Sequence, residues 1–197
     1  MIEWLEALDR SIVLAVNSLH RPWLDEVMWV ISGRILWIPF YLGLIFLAYQ
    51  KFGTRKTIWF VALAGLTIVL ADLISVVFIK DVVQRYRPSH HTLLVNRLHF
   101  YEIRTGEYYQ GGKFGFVSSH ATNFFALSVF TGNALKSHYK WLFPTLLATA
   151  LVICFSRMYL GAHYLSDLIG GALLGSTMAW ISWKFVWERY FSKTKTA

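Results

Sequence analysis

The stretch SRMYLGAHYLSD, residues 156–167, separates two apolar runs that each read as a helix in lipid. It places Arg157, His163 and Asp167 within twelve residues. Burying such side chains in hydrocarbon costs roughly 3 kcal/mol or more each, and packing requires none of them. The stretch therefore predicts a hairpin between two membrane helices, with polar residues that have a function at the membrane surface.

The composition around this hairpin is that of an integral membrane protein. The 197 residues are 56% hydrophobic and 17% aromatic, and only 15% are charged. A soluble domain has about 25% charged residues. The net charge of +8 could indicate nucleic acid, but the basic residues lie in short loops rather than in a basic helix or stripe. We expect one membrane-embedded domain over 1–197, no nucleic-acid partner and no obligatory protein partner.

Helical periodicity supplies the other elements. An amphipathic helix over 1–22 is expected to lie at the membrane interface. Because Gly33-Arg34 and Pro39 interrupt the first span, it is expected to be kinked or to start later. The predicted fold is an all-α integral membrane protein with an N-terminal amphipathic helix plus about five transmembrane helices. The candidate spans are about 27–49, 57–79, 117–135, 141–157 and 165–187.

The charges of the loops predict the orientation. With five spans, two loops and the C-terminal tail share one side, which is expected to face the cytoplasm of a bacterial inner (plasma) membrane. The cations on that side are Lys51, Arg55, Lys56, Lys136, Lys140, Lys184, Arg189, Lys193 and Lys195. The loop at 80–116 and the hairpin at 157–165 then face the periplasm or the outside. Both contain further cations, which are disfavoured there, and binding of an anion would explain them.

The first motif is KDVVQRYRP, residues 80–88. Lys80 and Arg87 are seven residues apart, so we expect both to project from one helix face, and Pro88 to end that helix. An ammonium beside a guanidinium suits a phosphate. Two interfacial cations that reach the headgroups are the alternative. Arg85 is expected to face away, into the headgroups.

The second motif is FVSSHATNFFA, residues 116–126. Ser118 or Ser119 can cap the third span, whose free N–H groups then point at an anion. His120 would lie in the first turn of that helix. A contact with lipid headgroups is the alternative for a histidine at such a boundary.

The third motif is the opening stretch, in which Gly161 is expected to allow a tight turn. His163 and Asp167 are four residues apart and share a helix face. A carboxylate at this spacing can fix the tautomer of the imidazole and leave the other nitrogen free to attack. An ordinary hydrogen bond on a helix surface is the alternative.

Together the motifs resemble the three-part signature of the type 2 phosphatidic acid phosphatase superfamily, which includes membrane lipid phosphatases and soluble vanadium haloperoxidases. The resemblance covers residues 80–167 and implies a six-helix membrane bundle. It also implies that His163 is the nucleophile, that Asp167 orients it, and that His120 is the general acid and then the base. The implied phosphate-binding residues are Lys80, Arg87, Ser118, Ser119 and Arg157. The usual second motif is Pro-Ser-Gly-His, so Ser119 stands in place of a glycine.

The residues offer no cluster with metal-ligand spacing, so we expect no metal and no cofactor. His90, His91 and His99 could bind a metal, but solvated loop residues are the simpler interpretation. Asp72, in the second span, either pairs with a cation or hydrogen-bonds a neighbouring helix.

The function implied by the resemblance is hydrolysis of the terminal phosphate of a membrane lipid, through a phosphohistidine. Undecaprenyl diphosphate, lipid A, phosphatidylglycerol phosphate and phosphatidic acid are the candidate substrates, by analogy alone. A transporter of protons or anions is the rival, because ionisable groups within membranes also mark transport paths. The absence of repeated halves and the position of the charges at helix ends disfavour it. A haloperoxidase is disfavoured by the hydropathy.

Overall fold

The computed structural model describes residues 2–192, so Met1, Lys193 and Lys195 lie outside the described residues. Within that range the chain is predominantly helical. The helices are α1 (Ile2–Asn17), α2 (Pro22–Ser32), α3 (Trp37–Leu73), α4 (Ser119–Leu135), α5 (Leu142–Tyr159) and α6 (Leu165–Ile181). Wider π-helical turns extend α3 over Ile74–Lys80 and α6 over Ser182–Ser192, and one α-helical turn, Asp81–Val83, follows the first of these. The long outer loop contains a 3₁₀ turn at Pro88–His90 and a small hairpin of β1 (Glu102–Arg104) and β2 (Glu107–Tyr108), a minor departure from the all-α prediction.

Helix α3 consists of two arms rather than one rod. Gly53 breaks it with φ 68° and ψ 176°, a conformation that glycine adopts without steric cost. Leu44 on the first arm and Phe60 and Ala64 on the second belong to one buried cluster, so the chain reverses at the break. The two arms correspond to the first two predicted spans.

Two helical stretches are long and apolar enough to cross a membrane, Trp37–Val83 and Leu142–Tyr159. The helix that corresponds to the first predicted span, 27–49, begins later than residue 27. A later start was one of the two expectations for this span. Helix α2 ends at Ser32, because Gly33 takes an extended backbone, and α3 begins only at Trp37. The total number of spans stays a prediction.

The bundle has two unlike ends. Helix α4 packs against α3, α5 and α6. Near the turn at Gly53 an aromatic cluster fills the core, with Phe60, Phe130 and Trp187 in mutual ring contact. At the opposite end lie the loops that carry the three motifs, and α1 and α2 pack there against α5 and α6. This arrangement brings the predicted site residues to one end of the molecule.

Candidate active site

His163 lies in the turn between α5 and α6 and is only 1% exposed. Gly161 permits this tight turn with φ 64°, as the sequence predicted. The Nδ1 atom of His163 is 3.4 Å from Oδ2 of Asp167, which is fully buried in the first turn of α6. Because Nδ1 faces the carboxylate, Nε2 is the nitrogen left for a substrate.

Asp167 is itself held by two donors. The backbone N–H of Tyr164 donates to Oδ2 at 3.0 Å, and the guanidinium of Arg85 donates to Oδ1 at 2.9 Å. The prediction that Arg85 faces the headgroups is therefore wrong. Gln84, with φ 49°, ends the helix before Arg85, so the counting of helix faces does not apply to this residue. Arg85 instead points inward and lies over the ring of Tyr164, 4.3 Å from its centroid.

Helix α1 reaches this network through Asp9, a residue that the sequence analysis did not single out. Asp9 is 6% exposed and accepts a hydrogen bond from Arg85 at 2.8 Å. It also accepts from the backbone N–H of Ser166 at 3.0 Å and from the hydroxyl of the same residue. In the sequence Asp9 resembles the other acidic residues of α1, Glu3 and Glu6. Only its burial in the structure distinguishes it from these two exposed residues. The interfacial position of this helix stays a prediction.

Arg87 and Lys80 both reach the site, but not from one helix face. The helix ends at Val83, and Arg87 has an extended backbone with φ −66° and ψ 160°. Its Nε donates to the carbonyl of Phe114 at 3.0 Å. Lys80 approaches from the end of the α3 extension, and its Nζ donates to the hydroxyl of Ser119 at 3.2 Å. Both side chains lie near His163, but the shared helix face was wrong, and their role in binding phosphate stays a prediction.

Arg157, near the end of α5, is 3% exposed. It donates to the hydroxyl of Ser32 in α2 and, at 2.6 Å, to the hydroxyl of Tyr109 in the outer loop. Its Nε has no hydrogen-bond partner within residues 2–192. Ser32 and Tyr109 were missed by the sequence analysis, because no motif connects them to residue 157.

The positive charges dominate the electrostatics around His163. Burial lowers the pKa of His163 well below its ordinary value, and the charges of Arg87, Arg157 and Lys80 lower it further. The pKa of Arg87 is lowered by burial and by the charge of Arg157. In the described part of the chain, none of these three cations forms a salt bridge with a carboxylate. The imidazole is therefore neutral, and it lies in a field that favours an anion.

The second motif supplies the start of α4. Ser118 is its N-cap residue, with the hydroxyl oxygen 3.5 Å from the backbone nitrogen of Ala121, as the sequence predicted. The hydroxyl of Ser119, an atom that the family's usual glycine lacks, accepts from Lys80. His120 follows in the first turn, and its ring lies near the backbone of Ser32 in α2. Both serines and the histidine thus lie at the predicted end of the helix.

A cavity of about 600 Å³ extends from Ser119 and His120 into the bundle, between the two arms of α3 and helix α4. Its walls are mainly apolar, with Tyr41 on one arm and Val61 on the other. Both residues are more than a third exposed, so the cavity opens sideways between the arms.

Several polar residues interrupt the apolar wall of this cavity, among them Arg34, Asp72, Asn123 and Thr131. Nδ2 of Asn123 donates to Oδ1 of Asp72 at 3.3 Å. Asn123 belongs to α4, so the expectation that Asp72 hydrogen-bonds a neighbouring helix is confirmed.

The other predicted histidines do not converge. His90 contacts the hydroxyl of Ser89, whereas His99 pairs with Asp25 of α2 at 3.0 Å. His91 accepts from a backbone N–H in its own loop. Over residues 2–192, no group of three or more His, Cys, Asp or Glu side chains is placed to hold a metal ion.

The amino-acid sequence is similar to those of known proteins. The family model described as the PAP2 superfamily matches residues 58–191. The lipid A 4'-phosphatase of Bacteroides thetaiotaomicron is 32% identical over 181 residues, covering 92% of this chain and 78% of that protein. That of Porphyromonas gingivalis is 29% identical over 175 residues, covering 88% and 71%.

Two solved structures have a similar fold. The transmembrane PAP2 type phosphatidylglycerolphosphate phosphatase from Bacillus subtilis superposes with a TM-score of 0.69 at 20% identity, covering 98% of this chain and 89% of that one. Aquifex aeolicus LpxE gives a TM-score of 0.64 at 20% identity, covering 88% and 93%. Both likenesses concern the fold.

Proposed function

The chain belongs to the PAP2 superfamily, and on that premise we propose that it is a membrane lipid phosphatase that needs no metal ion. The observation that carries the proposal is the environment of His163. Three cations without carboxylate partners surround a buried, neutral imidazole. Without a metal, fixed cations of this kind stabilise the charge on a transferring phosphoryl group.

We propose the reaction in which the two histidines take the roles that the resemblance implies. In the first step Nε2 of His163 attacks phosphorus, and the bond from phosphorus to the lipid oxygen breaks while His120 protonates that oxygen. In the second step water attacks the phosphohistidine, His120 accepts its proton, and inorganic phosphate leaves. Asp167 holds the ring of His163 through Nδ1 during both steps. Lys80, Arg87 and Arg157 bind the phosphate oxygens, together with the hydroxyls and N–H groups at the start of α4.

The cavity beside His120 supports an amphiphilic substrate. Its apolar walls begin at Ser119 and His120 and open sideways between the arms of α3. A lipid can thus place its phosphate at His163 while its hydrocarbon stays among apolar side chains. Relatives are named for lipid A, undecaprenyl diphosphate and phosphatidylglycerophosphate, and these lipids, with phosphatidic acid, are the substrates to test.

The decisive experiment measures phosphate release from these four lipids by the purified protein in detergent. We expect release from at least one lipid, unchanged by a chelator and inhibited by vanadate, which mimics five-coordinate phosphorus. The His163→Ala protein, purified in the same way, controls for contaminating phosphatases. Activity that disappears in chelator and returns with a divalent ion would contradict the proposal. A folded protein that releases phosphate from none of the lipids would also contradict the proposal and would favour the transporter hypothesis.

We further propose that the site faces the periplasm or the outside and that the C-terminus is cytoplasmic. The support is the excess of cations in the loops at the aromatic end of the bundle. A cysteine introduced at Thr105 in the outer loop should react with an impermeant thiol reagent in intact cells. A cysteine at Thr54, beside the Gly53 turn, should react only after lysis. The reverse pattern would place the site in the cytoplasm.

A further inference from the structure

The cavity that begins at Ser119 and His120 contains a polar pair that the phosphatase reaction does not use. Asp72 and Asn123 lie on facing helices within a mainly apolar wall. Asn123 is one helical turn from Ser119, so the pair lies about 6 Å from the phosphate-binding end of α4. This is where the part of a lipid just behind its phosphate would pass.

The pair is rich in acceptors and poor in donors. The carboxylate of Asp72 accepts only the 3.3 Å bond from Asn123 among the residues that the structure describes. Over the same residues, Oδ1 of Asn123 is buried without a hydrogen-bond partner. The carboxylate of Asp72 is half-buried in the cavity wall, and the unpaired oxygen of Asn123 is buried beside it. Because buried acceptors are almost always satisfied, the pair points to a donor that arrives with a ligand.

We propose that Asp72 and Asn123 form a subsite that accepts a hydrogen bond from a hydroxyl or amide group next to the phosphate of the lipid. The inference rests on the proposed function and narrows its substrate class. A sugar- or amide-containing lipid carries such donors, whereas a polyprenyl diphosphate presents a second phosphate followed by hydrocarbon, and neither of these donates a hydrogen bond. The subsite thus selects against polyprenyl substrates, because their bound form leaves both acceptors unsatisfied.

The test compares two lipids of similar size that differ in these donors. Ceramide 1-phosphate has an amide N–H and a hydroxyl near its phosphate, and phosphatidic acid has neither. We expect the wild-type kcat/KM to favour ceramide 1-phosphate by about tenfold or more, the effect of one hydrogen bond to a charged or buried acceptor. Asn123→Leu should bring the ratio of the two kcat/KM values close to one.

Two further variants make the ratio decisive. Asp72→Asn keeps the shape of the side chain and should also reduce the ratio, so the test holds even if Asn123→Leu fails to fold. Thr57→Val is the matched control, because the hydroxyl of Thr57 is likewise buried and unpaired within residues 2–192, but lies away from the cavity. This control should keep the wild-type ratio.

Three outcomes are informative. A wild-type ratio near one, or a ratio that survives both substitutions, overturns the subsite. A ratio that survives because activity on both lipids falls equally shows a structural role for the pair. The wild type could instead release phosphate from none of these lipids, including the four lipids tested above. That result would contradict the proposed function itself.

Discussion

The charged residues on the two sides of His163 have different partners and therefore different roles. The carboxylate side consists of Asp9, Arg85 and Asp167. The cationic side consists of Lys80, Arg87 and Arg157. On the carboxylate side one guanidinium bridges two acids, so its charge is cancelled within the protein. On the cationic side, within residues 2–192, the donors meet only neutral oxygens, so the charge remains for a ligand. The role of an arginine in this bundle thus depends on the groups that it contacts, and its position in a motif does not reveal that role.

The largest expected effect comes from the residue between the two sides. His163→Ala should abolish turnover of every substrate, because the covalent route is lost however good the leaving group is. His120→Ala should lower lipid turnover by about 10²–10⁴-fold, since a lipid alkoxide needs a proton to leave. With nitrophenyl phosphate the same variant should retain part of its first step and release a burst of nitrophenol, because the leaving group needs no proton.

Rapid-mixing assays with both substrates check this pair of predictions. His91→Ala, in the outer loop, is the control and should behave as the wild type. Equal losses for His163→Ala and His120→Ala on both substrates would contradict the assigned roles, although not the location of the site.

The next effect belongs to the cationic side. Arg157→Lys keeps the charge but removes the planar fork that donates to Ser32 and Tyr109. We expect kcat/KM for the lipid to fall by about 10²–10³-fold, the usual loss when one fixed donor to a transition state is removed. Arg97→Lys, an exposed change in the outer loop, should have no such effect. A near-normal Arg157→Lys enzyme would show that charge alone suffices.

A smaller effect is expected on the carboxylate side. Asp9→Asn weakens one of the two ion pairs of Arg85 without touching the phosphate cradle. We therefore expect kcat to fall by about tenfold while KM stays near the wild-type value, because Asp9 acts only by positioning Arg85 and Asp167. Glu6→Gln on the exposed face of α1 is the matched control. A rise in KM without a fall in kcat would mean that α1 contributes to substrate binding instead.

The smallest effect is a shift in titration. The pKa of His163 is lowered by burial and by Arg87, Arg157 and Lys80, so the neutral, nucleophilic ring persists as pH falls below the ordinary histidine range. Arg87→Gln removes one positive charge, so protonation becomes easier and the pKa should rise by about one unit. The acid limb of the activity profile then moves to higher pH.

Nuclear magnetic resonance of ¹⁵N-histidine in detergent micelles measures this shift directly. Arg97→Gln removes an exposed positive charge of the outer loop and should leave the titration of His163 in place. A downward shift in Arg87→Gln, or none, would show that the cations do not control the ring.

The sequence predicts the site residues better than it predicts their geometry. Lys80, Arg87 and Arg157 were found because cations in an apolar chain need a purpose, and that argument requires no structure. The helical face shared by Lys80 and Arg87 was wrong, because a left-handed residue at Gln84 ends the helix between them. Such a break is a property of one backbone position, and periodicity does not detect it.

Contacts between distant segments were beyond sequence reasoning. Arg85 was assigned to the headgroups because neither of its carboxylate partners lies near it in the chain. Asp9 is 76 residues away and Asp167 is 82 residues away. Gly53 and Gly161, by contrast, allow turns through their own backbone conformation, which requires no distant partner. The turn at Gly161 was predicted for that reason, and the turn at Gly53 falls in a predicted loop between spans.

The contact between Asp9 and Ser166 has a consequence for biosynthesis. The two residues are 157 positions apart, so α1 leaves the ribosome long before α6 and cannot make this bond until α6 has followed. During that interval the carboxylate of Asp9 has no partner in α6, and Arg85 lacks Asp167. Docking of α1 thus ends the assembly of the site, and appearance of enzyme activity in a translation reaction would time the completion of membrane insertion.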